Sequence, residues 1–559
     1  MSKRGTVDFR EGLGLLKETF KAEAEAARAK AQQAAVQTPR PAPPVIAVAA
    51  RLPNQQPAKP KFHGSAKAKT KKPTRPPPRL GPTNVPPNPG RYATGVLEPI
   101  RRPAPVPARD KTPAELQGKD ALAYVASRID LSALRSEASL PTTLAEPTLT
   151  DLTASVAIGS KILLDRPGPD EGGYLVGFDF GTSSSKIVVH QTGAGDLAYA
   201  VRAPDELCAE EQGRRQQHLW RSVVWFDAGS GRFSLAPQPG AVAIEGFKTG
   251  LIQSTGHRMT GGVTHAHAAV AYLALLIAFV VGEHRRHPPA GFDGDAHFSR
   301  FHFGVPVACK DEAGCADEFQ RVLTAAFEVA PFATDLDLET VKAAHRRAAA
   351  HAETTADSPF VLFEELAGVI AGYKASPDHR RGPHVIVDVG ASTLDVATFH
   401  IPDGDHKVLV FMSSVGLLGA EALRAARRSE VPDPTFRAAC AQHTRHVLST
   451  TFLRKDSDFF PLNGIPKPLL FVGGGRLTDV HDELYGNYPN GLEAPRRTPA
   501  PGPNLQYDMA TDFARLLLAW GLAQEQLELP VLKPPSEIED EVRRRHYDYR
   551  DRYVDKDMC

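Results

Sequence analysis

The chain has 559 residues, 66 Lys and Arg against 65 Asp and Glu, and 42% hydrophobic residues, an average that describes an ordinary soluble protein able to build a large core. Its 48 prolines and 45 glycines are unevenly spread, so the ordered part is smaller than the chain. Cys208, Cys309, Cys315, Cys440 and Cys559 lack the CxxC spacing of a structural zinc site or a redox dithiol, and a reducing, cytoplasmic setting fits them best. The start MSKRGTVDFREGLGLLKE has charges where a secretory signal needs an apolar core, and a terminal cysteine does not suit prenylation.

Up to residue 110 there are 21 Lys and Arg against 7 Asp and Glu, in a Pro, Ala and Lys-rich sequence that cannot bury enough apolar surface to offset the entropy of ordering. Residues 1–110 are therefore expected to be disordered, with one candidate helix over 14–36. Residues 111–170 hold short helical phrases and either dock on the core or stay loose. From Gly172 the pattern changes. YLVGFDF and KIVVH flank a small-residue turn and predict a β-hairpin, and SVVWFDAGSGRFSLA predicts a second one. HAHAAVAYLALLIAFVVGEHRR reads as a buried helix, its apolar run Ala268 to Val281 about four residues short of a membrane span. The strand FHFGVPVAC and the helices EFQRVLTAAFEVA and VKAAHRRAAAHAE follow. PFVLFEELAGVIAGY is predicted to be one helix, before a hairpin of VIVDV and DVATFH. The last third predicts helices at GAEALRAARR and FRAACAQHTRHVLSTTF, a strand PLLFVGGG and a closing helix MATDFARLLLAWGLAQEQ. The domain is expected to close near Leu529, leaving a charged tail over 530–559.

Two segments share a pattern. Asp179-Phe180-Gly181-Thr182-Ser183-Ser184 and Asp388-Val389-Gly390-Ala391-Ser392-Thr393 each follow an apolar strand with an acid, a glycine and small hydroxyl residues. Such turns let backbone N–H groups approach an anion unobstructed. A carboxylate from each strand end could hold hydrated Mg²⁺, which takes oxygen ligands and keeps several waters. A third strand ends in Gly473, Gly474, Gly475 and Arg476, a turn flat enough to receive a nucleoside. No GxxxxGKS/T loop, GxGxxG helix start or HExxH motif is present.

VGFDFGTSSSKIVV, VIVDVGASTLDVATF and LLFVGGGRLTDV resemble, in order, the first phosphate, second phosphate and adenosine motifs of the ATPase superfamily that joins actin, DnaK-type heat-shock chaperones and sugar kinases. The resemblance covers about residues 174–529 and is closest to a DnaK-type nucleotide-binding domain without a peptide-binding domain. It implies an α/β, two-lobed actin-like fold of duplicated ribonuclease-H-like domains, the first lobe and the start of the second over 171–390 and the remainder over 391–529. It further implies ATP or ADP and Mg²⁺ as ligands, with Asp179 and Asp388 holding the metal through water. Gly181, Thr182, Ser183, Ser184, Gly390, Ala391, Ser392 and Thr393 would wrap the phosphates. By the same resemblance Glu365 faces the attacking water, Lys248 reaches the γ-phosphate, and Lys186 occupies the phosphate-lysine position of actins and sugar kinases. Glu421 supports the ribose loop, Arg445 contacts adenine, Gly473 to Arg476 carry the adenosine, and Asp395 orients the second hairpin.

The function so implied is an ATP-hydrolysing conformational switch acting on a protein partner, with no membrane role. The 30 residues after Leu529 leave no room for a chaperone's peptide-binding domain. A polymerising actin-like ATPase and a small-molecule, sugar-type kinase are the alternatives. The basic arm KPKFHGSAKAKTKKPTRPPPR is a solvated tether or a salt-sensitive contact for nucleic acid or an acidic protein.

Overall fold

A computed structural model describes residues 112–129, 140–165, 173–191, 196–211, 213–252, 260–306, 314–350, 358–402, 407–454, 467–486, 499–525 and 529–533. The expected disordered arm, its candidate helix over 14–36, and the tail beyond 533 lie outside the described residues.

Two helices, α1 (Gly118–Arg128) and α2 (Glu146–Leu164), precede the first strand. The chain then forms β1 (Tyr174–Asp179), β2 (Ser184–Gln191), β3 (Leu197–Ala200), β4 (Cys208–Glu211) and β5 (Arg214–Arg221). A small sheet of β6 (Val224–Asp227), β7 (Arg232–Ser234) and β8 (Val242–Ile244) leads to α3 (Phe247–Ile252) and α4 (His265–Arg286). Next come β9 (Phe298–Val305), α5 (Cys315–Val329), α6 (Leu338–Ala350), β10 (Phe360–Glu364) and α7 (Glu365–Lys374). A second run holds β11 (Gly382–Val389), β12 (Leu394–Ile401), β13 (Lys407–Gly416), α8 (Ala420–Arg428) and α9 (Asp433–Arg454). It closes with β14 (Leu469–Val472), α10 (Asp479–Gly486), β15 (Leu505–Gln506), α11 (Phe513–Leu522) and β16 (Val531–Lys533).

The strand orders repeat. The first sheet runs β10-β9-β1-β2-β3-β15, with β5 and β4 added beside β2, and the second runs β14-β11-β12-β13-β16. In each, an antiparallel hairpin, β1/β2 or β11/β12, continues into a third antiparallel strand and pairs on its other side with a parallel strand reached through helices. Five layers result. α2, α4 and α5 share a core with the outer face of the first sheet, and α1, α8, α9 and α10 share one with the outer face of the second. Between the inner faces lie α7 and α11, whose Ile370, Tyr373, Leu516 and Trp520 meet Val188 of one sheet and Ile386 and Phe399 of the other. Covered on both faces, β1 and β2 are buried almost throughout, so their sequences read as apolar runs.

The central layer is thin because glycines permit it. A Cβ on Gly521 of α11 would lie 1.8 Å from the Gly368 carbonyl of α7, and one on Gly372 would lie 2.3 Å from the Leu517 carbonyl. His190 Nδ1 and His302 Nδ1 each stand 2.8 Å from carbonyls at the end of α11, those of Ala523 and Leu522, so two sheet histidines serve carbonyls that the helix leaves open at its end.

Helix α4 is apolar on every side, as a helix enclosed by protein must be. Thr264 caps it by accepting from the His267 N–H. By length and composition it could cross a membrane, but it is buried inside the fold. Segment 111–170, which the sequence leaves open, docks through both helices. Gly159 of α2 and Gly282 of α4 bring the two backbones together, and Ser155 Oγ donates to Glu283 at 2.6 Å across the seam.

Two expectations change. The apolar stretch Phe360–Glu364, predicted as the first turns of a helix, is strand β10, paired in parallel with β9 along Phe360↔Phe301 to Glu364↔Val305. The fold also continues past Leu529, because β16 pairs with β13. Cys208 and Cys440 are free and buried, but Cys315 is disulfide-bonded.

The α2/α4 seam tolerates no side chain at Gly282, where an added Cβ would lie 1.8 Å from the Ser155 carbonyl oxygen. Gly282→Ala is expected to destabilise the full chain by about 1–3 kcal/mol, read as a lower midpoint in urea unfolding followed by circular dichroism. An unchanged midpoint would mean that α2 is not seated on α4.

Candidate functional site

The turns after β1 and β11 and the glycine turn after β14 open on one cleft of about 310 Å³, also lined by α3, α7, α8 and α11. The turns after β1 and β11 have most of their carbonyls tied to the protein. In the first, Ser222 donates from its N–H to the Ser183 carbonyl and from Oγ to the Gly181 carbonyl at 2.7 Å. In the second, the N–H groups of Gly419, Ala420 and Glu421, entering α8, donate to the carbonyls of Ser392, Gly390 and Ala391. With the carbonyls so engaged, the turns can present amides to an anion. Gly181 is required by closeness, since a Cβ there would stand 2.1 Å from the Ser184 carbonyl oxygen. Gly473, at φ +82°, is required twice over, because a Cβ would also lie 2.2 Å from Asp388 Oδ1.

Charge is concentrated between the turns. Lys186 Nζ pairs with Asp179 Oδ2 at 3.0 Å and Lys248 Nζ with Glu365 Oε1 at 2.6 Å, both lysines being buried. Burial pulls the Lys186 ammonium below its ordinary pKa despite the opposing pull of Asp179. For Lys248 burial acts in the same direction, but Glu365 and Asp179 outweigh it and the pKa rises. Burial, with Glu365 and Asp179 adding repulsion, pushes the Asp388 carboxyl up to about 6. Asp395 is driven well above the usual carboxylate range by burial and then by Asp388 and Glu365, although Thr393 Oγ1 donates to it at 3.0 Å.

Most residues singled out from the sequence meet here. Asp179, Gly181, Thr182, Ser183, Ser184 and Lys186 line the cleft from the first hairpin, and Asp388, Gly390, Ala391, Thr393 and Asp395 from the second. Lys248, Glu365, Glu421, Gly473, Gly474 and Gly475 complete that set. Three do not join it. Ser392 is buried, its hydroxyl 3.2 Å from that of Thr249. Arg476 is buried in an ion pair with Asp512, the residue whose carboxylate caps α11 by accepting from Ala514 N–H at 3.0 Å. Arg445, expected at the adenine, is exposed on α9 and away from the cleft, because the buried face of that helix is set by Phe436, Cys440 and Val447. Arg424 of α8 reaches the cleft instead, beside Glu421.

Glu211, Arg221, Glu245 and Arg515 are further lining residues that sequence reasoning missed. A signal existed for Arg515, the lone charge inside the apolar helix FARLLLAWGL.

What the arrangement can do follows from its parts. Amide-lined turns suit phosphate, and buried carboxylates suit a hard cation. No three His, Cys, Asp or Glu side chains among the described residues form a direct metal cage, so a cation here would keep much of its water. The chain matches no protein-family model and no curated protein.

The raised Asp388 pKa has a stability consequence. The folded state holds the Asp388 proton more tightly than the unfolded chain, whose carboxyl titrates near pH 4, so ionisation destabilises the fold increasingly from about pH 4 through 6 and fully above. Without nucleotide or metal, Asp388→Asn is therefore expected to stabilise the chain by about 1–3 kcal/mol at pH 8, an advantage that fades as pH falls through 6. Urea unfolding at pH 5 and 8 checks this; the same difference at both values would remove the burial argument.

Proposed function

We propose that the chain is an ATP-binding and ATP-hydrolysing conformational switch with the two-lobed architecture of the actin and heat-shock ATPase superfamily, acting on a protein partner. One observation carries the reading: two hairpins with the same Asp-x-Gly turn, on two sheets of like strand order, set Asp179 and Asp388 into a single cleft beside a glycine turn.

Asp179 and Asp388 are the residues to hold Mg²⁺ through its waters, and the carboxylate cluster fits such a hard cation, which would lower the repulsion that raises the Asp388 pKa. Bound with the nucleotide, Mg²⁺ would neutralise phosphate charge. The amides of the two turns would cradle the phosphates, with Lys186 and Lys248 adding positive charge. Glu365, at the first residue of α7 and held by Lys248, would accept a hydrogen bond from an attacking water. Catalysis of this kind rests on positioning and electrostatics, and slow turnover follows from the absence of a strong base. The α7/α11 layer, in backbone contact through Gly368, Gly372 and Gly521, supports a switch, because two sheets separated by a thin helical layer can reorient around a ligand. The basic arm is the natural site for an acidic partner.

A second reading, an actin-like ATPase that assembles into filaments, is favoured by the Lys186–Asp179 pair in the cleft.

The full chain is expected to turn over ATP only with Mg²⁺, at a rate reduced about 10²-fold or more in Asp179→Ala, Asp388→Ala and Glu365→Gln. A well-folded wild type that binds no adenine nucleotide in titration calorimetry would refute the reading. For the second, sedimentation that grows with ATP and reverses with ADP is the supporting outcome, and no pelleting in either state excludes filaments under those conditions.

A further inference from the structure

Arg515 enters the cleft from the start of α11. Its side chain is only 7% exposed, yet its anchors are few: Nη2 lies 3.0 Å from Glu211 Oε1 and 3.3 Å from Ser184 Oγ. Nε is buried with no hydrogen-bond partner. A guanidinium offers five N–H donors, and leaving one buried and unmade is costly. The surrounding backbone makes room for this group at the expense of side chains. An added Cβ on Gly474 would stand 1.2 Å from Arg515 Nη1, so the glycine turn is closed over the guanidinium. The charge is felt throughout the site, because it opposes protonation of Lys186 and favours ionisation of Asp388.

A planar, permanently charged fork with unused donors, set between the hydroxyl of the first turn and the glycine turn, matches an oxyanion of phosphate. We propose that Arg515 is a phosphate-binding residue of this cleft that grips the diphosphate of a bound nucleotide, and that Glu211 is the counter-charge it exchanges for that ligand. The assignment to the diphosphate follows from its neighbours. Arg515 bonds to Ser184 and is covered by Gly474, whereas the Lys248–Glu365 pair, which the proposed function places at the terminal phosphate and its water, makes no hydrogen bond or ion pair to either. The inference rests on the nucleotide reading and adds a residue to it. A purely structural role, a latch between α11 and the end of β4, is the competing account. It predicts loss of stability without loss of ligand.

The experiment is calorimetric titration of the full chain with Mg-ADP and with Mg-ATP, for wild type, Arg515→Ala, Arg515→Lys and Glu211→Gln, beside the thermal midpoint of each ligand-free protein. Loss of one charge-assisted contact is worth roughly 10- to 100-fold in affinity. Arg515→Ala is expected to weaken ADP and ATP by that factor alike, and Arg515→Lys, which keeps the charge and loses the fork, by an intermediate one. Glu211→Gln, which removes the carboxylate that competes with the ligand for Arg515, is expected to bind both nucleotides several-fold tighter. If Arg515→Ala does not fold, the Lys and Gln variants decide. Wild-type affinity in every folded Arg515 variant, or an equal weakening in Glu211→Gln with a lowered midpoint, would overturn the proposal in favour of the latch. Wild type that binds neither nucleotide would instead overturn the nucleotide reading, and this inference with it.

Discussion

The pairing of Asp388 with Asp395 across the second hairpin, acid opposite acid, is the constraint that sets the two halves of the cleft apart. Both hairpins place the turn acid opposite the residue seven positions on, Asp179↔Lys186 in one and Asp388↔Asp395 in the other. Opposite charges across a strand pair stabilise it and like charges do the reverse. The first hairpin therefore holds an ion pair within itself, and the second is left with two acids whose pKa values both rise, Asp388 through burial, Glu365 and Asp179, and Asp395 through burial, Asp388 and Glu365. Relief has to come from other elements. Thr393 donates to Asp395, Lys248 from α3 supplies charge beside Glu365, and Arg515 from α11 favours the ionised Asp388. Elements far apart in sequence, brought together by the shared core, supply the charge that the second hairpin does not balance by itself.

The same residues tie the cleft to the middle of the molecule. Arg515 and Glu365 start the two helices of the central layer, α11 and α7, and both side chains reach the cleft only if these helices lie side by side between the sheets. Gly368, Gly372 and Gly521 permit that approach, since a methyl group at any of them would collide with carbonyl or side-chain atoms of the other helix. The histidines at the inner face of the first sheet complete the arrangement. Neutral His302, its pKa driven down to about 4 by burial, can share a proton with the Leu522 carbonyl without introducing a charge into the layer.

Much of this was legible in the sequence, and the exceptions have physical causes. The hairpins announce themselves through apolar runs interrupted by Asp-x-Gly turns, and the repeat at Asp179 and Asp388 points to one site because backbone chemistry there depends on small residues. β10 was misread because FVLF followed by a helical pattern is consistent with either state; pairing with β9 decides it, and a partner 59 residues away, as Phe360 and Phe301 are, leaves no local trace. Arg445 and Arg424 illustrate a different limit. Both lie on helices with mixed polarity, and only the packing of α9 on the second sheet turns the former outward. β16 escaped notice because three residues after a loop carry too little pattern to count as a strand.

The helices before the first strand bear on what constitutes the folded unit. Ala121 and Val125 of α1 belong to the core that covers the second sheet, together with Phe436 and Cys440, while Leu152 and Val156 of α2 belong to the core of the first. Neither helix is an appendage. A chain begun at Gly173 would bare the Gly282 groove of α4, whose missing side chain has no purpose except to admit Gly159 and Ser155, and would leave Glu283 and Arg286 without the Ser155 hydroxyl that both engage. Each sheet thus owes part of its outer layer to a segment that precedes both Asp-x-Gly turns, and the sheets that frame the cleft are packed from outside by residues that contribute nothing to its lining.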